Sequence, residues 1–357
     1  MATSLRPRRT TGVCRDGVSA VFAPPRQQNV RHSGAAGLMR AAVLVKPQKF
    51  EFREVPRPTP GPNQLLVRLE GCGVCASNIP PWEGKPWFQY PMPPGALGHE
   101  SWGHVEEVAD LVTGFAPGDR VAMISSHAYA EFDVADVSST VKLPPSLDDQ
   151  AFPAEPLGCA MNIFQRSQIE RNDTVAIVGL GFLGALLTQL ATASGARVFA
   201  IARRPFAIAM AKEMGAAETI EMSEQSAVIS RVEQLTSGRF CDVVIEATGK
   251  QGPLDLAAEL TRERGRLVVA GYHQDGPRQV NMQLWNWRGL DVINAHERDP
   301  QIYLRGMREA VAAVESGLID PAPLYTHRFR LDQLDQALGM TAERPDGFMK
   351  ALITYAR

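Results

Sequence analysis

The sequence predicts an α/β protein in two parts, a β-rich, barrel-like module followed by a doubly wound parallel sheet. Residues 101–143 alternate short β-branched runs with Gly/Pro turns such as Ala116-Pro117-Gly118-Asp119, the pattern of an all-β module. Beyond Pro153 strands and helices alternate, which argues a parallel sheet covered on both faces. Early in that alternation stands a glycine turn, Gly179-Leu180-Gly181-Phe182-Leu183-Gly184, between an apolar strand and an apolar helix.

A chain of 357 residues can bury two domain cores, and 45% hydrophobic with 21% charged residues is ordinary for a soluble enzyme. A net charge of −2 gives no electrostatic case for nucleic acid or a membrane surface. Five scattered cysteines do not make a disulfide framework; metal binding or free thiols in a reducing cytoplasm are the expectation. The longest apolar run, Val175 to Leu187, holds three glycines and falls short of the roughly 18 residues a membrane span needs.

Residues 1–38 lack hydrophobic periodicity and carry six arginines against one aspartate. No apolar segment resembles a secretory signal. An Arg-rich, acid-poor leader fits an organelle transit peptide; a disordered tail, or a true start at Met39, is the simpler reading. Order is expected from Arg40–Val45, a short strand, and then Gln64–Glu70 after the turn-rich Pro56–Pro62. Helix is predicted from Glu155 to Ile169. Strands follow at Thr174–Gly179, Arg197–Ala202, Cys241–Glu246 and Arg266–Ala270, with helices to Ala193 and over Pro205–Met214. An amphipathic helix over 301–317 and a strand over Phe348–Tyr355 complete the chain.

The glycine turn has the setting a phosphate cradle needs. The first glycine permits the tight turn, the second lets backbone approach a pyrophosphate, and the third lets helix pack on strand. The helix N-terminus adds N–H donors and positive potential. At the end of the second strand an acid would accept from a ribose 2′-hydroxyl. Here Ala202 is followed by Arg203 and Arg204, which suit a 2′-phosphate through forked, charge-assisted hydrogen bonds. NADP(H) is the expected cofactor, in preference to NAD(H).

Upstream lie Cys75-Ala76-Ser77-Asn78, Gly98-His99-Glu100 and Glu155-Pro156. Catalytic zinc takes three protein ligands from Cys, His and carboxylate and keeps a position open. Cys75, His99 and Glu155 can supply them, with Glu100 as an exchanging or supporting group. Cys159, one helical turn past Glu155, is the rival for the third place. A metal that polarises oxygen beside a hydride carrier makes an alcohol/carbonyl oxidoreductase.

These motifs, with Gly118-Asp119-Arg120-Val121 and Asp242-Val243-Val244-Ile245-Glu246-Ala247-Thr248-Gly249, resemble the medium-chain dehydrogenase/reductase superfamily in its zinc-dependent alcohol dehydrogenase branch. The resemblance runs from Met39 to the C-terminus. It implies a GroES-like β-barrel catalytic domain over 39–155, a Rossmann doubly wound parallel sheet over 156–295, and a return to the catalytic domain over 296–357. It also implies one catalytic zinc on Cys75 and His99 with Glu100 or Glu155, and Ser77 as the hydroxyl that passes the substrate proton outward. The cofactor is expected at Gly179, Gly181, Phe182, Leu183, Gly184, Arg203, Arg204 and Thr248.

Three departures stand out. Ala76 and Asn78 replace the usual Gly and Asp, so Asn78 would orient His99 without charge. Pro80 falls where a relay histidine would end the proton path. No cysteine lies between Val121 and Phe132, so the structural-zinc lobe is missing. The aromatic stretch Trp82–Tyr90 either lines a substrate cleft or covers the barrel. The expected partner is a small alcohol or carbonyl substrate, with no nucleic acid and no membrane, in a cytoplasmic homodimer or homotetramer. The alternatives are a zinc-free quinone or enone reductase-like member, which the retained Cys…His-Glu set argues against, and a catalytically silent NADP-binding protein.

Overall fold

The computed structural model describes residues 37–355, so the reading of the leader lies outside the described residues except at Gly37 and Leu38. The chain opens with an antiparallel hairpin, β1 (Leu38–Lys46) and β2 (Lys49–Pro56). β2 is a strand that the sequence reading does not assign. Charged residues interleave its Phe50 and Phe52, and pairing with β1 fixes it. There follow β3 (Gln64–Gly73), a short α1 (Ile79–Glu83), β4 (Ser101–Val108), β5 (Arg120–Met123), β6 (Phe132–Asp136) and β7 (Thr140–Lys142).

The second part begins with α2 (Ala154–Ser167) and β8 (Thr174–Val178). Then come α3 (Phe182–Ala193), β9 (Arg197–Ala202), α4 (Pro205–Glu213), β10 (Glu218–Glu221) and α5 (Gln225–Leu235). β11 (Cys241–Glu246), α6 (Gln251–Leu260), β12 (Thr261–Val269), α7 (Met282–Arg288), β13 (Asp291–Asn294) and α8 (Pro300–Glu315) follow. β14 (His327–Arg330), α9 (Leu334–Glu343) and β15 (Ala351–Thr354) end the described chain.

Two sheets organise these elements. In the six-stranded sheet the order is β10-β9-β8-β11-β12-β13 and every pairing is parallel. Successive residues of β8 feed opposite cores: Val175 and Ile177 pack on one face, Ala176 and Val178 on the other. Burial on both faces is why this strand reads as a continuous apolar run. The seven-stranded sheet runs β14-β15-β3-β4-β5-β7, with β6 also on β3. Its β14 and β15 come from the C-terminus, so the end of the chain rejoins its beginning.

Strand order reverses between β8 and β11, where an open α/β sheet leaves a crevice beyond the strand ends. The glycine turn and the Glu246–Gly249 turn flank that crevice. Gly179 has φ of +104°, accessible to glycine at low cost. A Cβ on Gly184 would come 2.0 Å from the Gly179 carbonyl oxygen, so only glycine lets α3 sit this close to β8. α2 and α8 cross at Gly158 and Gly306, where a Cβ on either would meet the other helix's backbone within 3 Å.

Candidate active site

Cys75, His99 and Glu100 converge from the end of β3 and the start of β4. One ligand atom from each lies within 4.8 Å of the others, and it is the one such trio among the described residues. Sulfur, imidazole nitrogen and carboxylate oxygen are the donor types of a catalytic zinc site. Glu155 and Cys159 stand close by on α2, outside that trio. Each shapes the charge around it: burial raises Glu155, while His99 draws it back down.

His99 is oriented by backbone, not by Asn78. Its Nδ1 lies 2.8 Å from the Leu97 carbonyl, which can only accept, so Nδ1 carries the proton and Nε2 is left for a metal. Asn78 instead donates from Nδ2 to that carbonyl at 2.8 Å and to the Tyr129 hydroxyl at 2.9 Å. The expected direct role of Asn78 is thus corrected to one at second hand, bracing the oxygen that holds His99. Leu97 reaches this position with φ of 79°, a conformation that disfavours leucine and that the surrounding hydrogen bonds hold. Ser77 is half-buried beside Cys75, its hydroxyl 3.3 Å from Asn78 Oδ1.

Cys159 is not free to compete for the metal as placed. Its thiol donates to Glu155 Oε1 at 3.2 Å and lies 3.9 Å from the Tyr303 hydroxyl of α8. Burial, and then Glu155, push its pKa well up, which keeps it a neutral donor. Glu100 is fully buried, and the Lys350 ammonium meets its Oε1 at 2.8 Å. Lys350 and Tyr303 are missing from the sequence reading. Lys350 had a visible signal: it is a lone cation inside the apolar run Phe348–Ile353.

On the nucleotide side the residues fit a dinucleotide. A Cβ on Gly181 would project into open space beside the N-terminus of α3, a cradle shaped for something other than protein. Phe182 and Leu183 open α3, half-buried at its first turn, and Phe182 stacks on Tyr325. Thr248 sits across the crevice against Gly179, but its hydroxyl is engaged by the buried Glu246 carboxylate. Glu246 also accepts from Thr248 N at 2.6 Å and Gly249 N at 2.9 Å, and meets His273 at 3.0 Å, so it shapes the turn that faces the cofactor space.

Arg203 and Arg204 part company. Arg203 is exposed and has no ion-pair partner among the described residues. Arg204 donates to the carbonyls of Pro345 and Phe348. The aromatic stretch divides as well. Trp82 is buried, its indole N–H donating to Asp335 at 2.9 Å, while Trp87 stays 54% exposed.

Comparison with known proteins agrees with this geometry. Residues 61–143 match the alcohol dehydrogenase GroES-like domain, and residues 183–312 match the zinc-binding dehydrogenase family; together they span more than half of the chain. The chain belongs to the zinc-dependent alcohol dehydrogenase branch of the medium-chain dehydrogenase/reductase superfamily, and its class is that of the NAD(P)-dependent alcohol dehydrogenases. It is 27% identical to the sorbitol dehydrogenase of Halalkalibacterium halodurans, covering 82% of this chain and 94% of that one. The erythritol/L-threitol dehydrogenase of Mycolicibacterium smegmatis is 29% identical over 88% of this chain and 97% of its own length. Among solved structures, a putative zinc-binding dehydrogenase from Sinorhizobium meliloti bound to NADP superposes with a TM-score of 0.77. It is 26% identical, with 89% of this chain and 99% of that chain covered.

Proposed function

We propose that this protein is a zinc-dependent, NADP(H)-preferring dehydrogenase of alcohols or polyols. The observation that carries the reading is the convergence of Cys75, His99 and Glu100 within 4.8 Å beside a glycine cradle at the sheet's switch point. When bound, zinc supplies Lewis-acid polarisation of the substrate oxygen, and the nicotinamide accepts or gives the hydride. Cys75 and His99 would hold one zinc per chain, completed by Glu100 or Glu155. Leu97 keeps the His99 tautomer fixed. Ser77 takes the substrate hydroxyl proton and hands it to water, because Pro80 offers no relay.

Arg203 supports the cofactor preference, since an exposed guanidinium at the end of β9 suits a 2′-phosphate. The relatives' names make sorbitol, erythritol and L-threitol the first substrates to try. We infer a catalytic domain of residues 39–155 completed by 296–357, with the nucleotide domain of 156–295 between; β14 and β15 joining the sheet of β3 support it. A homodimer is favoured by the edge of β13, which no further strand pairs among the described residues and whose exposed Val292 lies near Met282 and the 85% exposed Trp287 in sequence. Free cysteines 72, 75, 159 and 241 suit a reducing cytoplasm, and no described helix is long and apolar enough to cross a membrane.

Steady-state kinetics on those polyols with NADP⁺ and NAD⁺, before and after metal chelation, tests the reading. Higher kcat/KM with NADP⁺ and loss of turnover on chelation are expected. Equal or better kcat/KM with NAD⁺ overturns the cofactor preference, and full turnover after complete metal removal overturns the role of zinc.

A further inference from the structure

The loop that follows β12 is tied to the turn that follows β11 by a row of side chains. At the turn, Thr248 N and Oγ1 and Gly249 N all donate to Oε1 of the buried Glu246, which leaves Oε2 to face His273 Nε2 at 3.0 Å. On the far side of the ring, Arg278 Nε lies 2.8 Å from His273 Nδ1. Arg278 Nη2 also donates to the Gly249 carbonyl at 2.9 Å and to Asp275, whose other oxygen meets Lys250 Nζ at 2.9 Å. Asp275 stays ionised, because Arg278 first, and then Lys250, hold its carboxyl well below the usual range. The backbones are close as well. A Cβ on Gly271 would fall 2.1 Å from Gly249 N, so the start of the loop presses directly on the turn.

One proton assignment satisfies this row. A guanidinium Nε–H can only donate, so Nδ1 of His273 is bare, and the ring proton sits on Nε2 and points at the Glu246 carboxylate. His273 is therefore neutral in this arrangement. A second proton would set N–H against N–H. The charged ring would be drawn to Glu246 and would repel Arg278, which would take its hydrogen bond to Gly249 away with it. The charged groups that face the ring are Glu246 from β11 and Arg278 from its own loop. Asp275, and Lys250 at the N-cap of α6, stand one step beyond. From the side of β13, His296 stacks on the neighbouring Tyr272 with ring centroids 5.2 Å apart.

We propose that neutral His273 and Arg278 are positioning residues that latch the Thr248–Gly249 turn in the shape that receives the dinucleotide, and that protonating His273 releases the latch. The inference rests on the reading of the crevice as a dinucleotide site, and not on the choice between NADP(H) and NAD(H).

The test is fluorescence titration of the full-length protein with NADPH and with NADH across about pH 5 to 8, the range in which histidine switches charge. In His273→Gln the amide nitrogen donates to Glu246 while the amide oxygen accepts from Arg278, whatever the pH. This variant should match the unaltered protein at about pH 8 and bind either dinucleotide roughly tenfold more tightly than it at about pH 5.5, the scale of one charge-assisted hydrogen bond. Comparison at one pH cancels the titration of the dinucleotide and of other groups. Arg278→Ala should bind weakly at every pH, like the acid form of the unaltered protein. Hydrogen exchange of the amides from Gly271 to Gln279 reads the latch with no dinucleotide present. At acid pH these amides should exchange faster in the unaltered protein than in His273→Gln, and at about pH 8 equally. Parallel pH profiles of the unaltered protein and His273→Gln, in exchange and in affinity, overturn the latch. So does Arg278→Ala with unchanged affinity at about pH 8. Tighter binding of NADH than of NADPH, with the acid limb present for both, overturns the cofactor preference and leaves the latch standing. An acid limb in exchange without dinucleotide binding overturns the reading of the crevice instead.

Discussion

Lys350 and Glu100, 250 residues apart in sequence, meet in the interior with Nζ 2.8 Å from Oε1 and almost no solvent access on either side. Burial lowers the lysine's pKa, but Glu100 and Cys75 outweigh it, so the ammonium stays charged. The pair fastens the returning C-terminus to the His99–Glu100 segment that leads into β4.

Removing the cation leaves an uncompensated buried carboxylate, so Lys350→Met should destabilise the metal-free protein by about 3–5 kcal/mol. Adding Glu100→Gln should restore most of that, because the charge is then gone. Denaturant titrations of both single variants and the double variant measure the coupling. A Lys350→Met protein as stable as its parent contradicts the pairing.

Two glycines of the cradle should fail in different ways. Gly184→Ala drives a methyl into the Gly179 carbonyl, so α3 must move off β8, and both thermal stability and cofactor affinity should fall. Gly181→Ala meets no protein atom within 4 Å. It should keep its melting temperature and lose cofactor affinity, since the methyl occupies phosphate space. Comparable melting losses in the two variants would argue against this cradle.

Zinc uptake should release protons. Burial lowers the His99 pKa, but the hydrogen bond and charge of Cys75, with Glu155 and Glu100, carry it up to about 10. A raised pKa means the metal-free ring is protonated at neutral pH, and a metal must displace that proton. The His99 contribution to apparent zinc affinity therefore rises with pH through the neutral range and levels off near 10. Calorimetry at pH 7 in buffers of different ionisation heat should find about one proton released per zinc from the imidazole. Affinity that is flat from about one pH unit below neutral to about two above it is the contrary result.

Cys159 donates its thiol to Glu155, so Cys159→Ser should retain its zinc and fold normally, with the hydroxyl making the same hydrogen bond. Zinc content by atomic emission decides it, and a metal-free Cys159→Ser protein would make Cys159 the third ligand.

Much of this was legible because local pattern and tertiary need coincide. Val175–Val178 is apolar on both faces because both faces are buried, and the glycine turn keeps its identity because Gly184 and Gly179 touch. Cys75 and His99 could be paired from their types and order alone, but the sequence put Glu155 in the third place, and the geometry brings Glu100 there instead. What escaped depends on partners distant in sequence. β2 alternates charge with Phe50 and Phe52 and is fixed by its hairpin. Asn78 was matched to a role that the Leu97 carbonyl performs, since a backbone oxygen leaves no mark in sequence. Arg203 and Arg204 look equivalent side by side, and only the loop at Pro345 and Phe348 separates them.

The central claim is that Cys75 and His99 hold one zinc on which turnover depends. Metal analysis of purified protein beside Cys75→Ser and His99→Ala, with polyol turnover measured on the same samples, tests it most directly. The account predicts close to one zinc per chain in the unaltered protein, with zinc and turnover lost together in both variants. Turnover that survives in variants shown to be metal-free contradicts it.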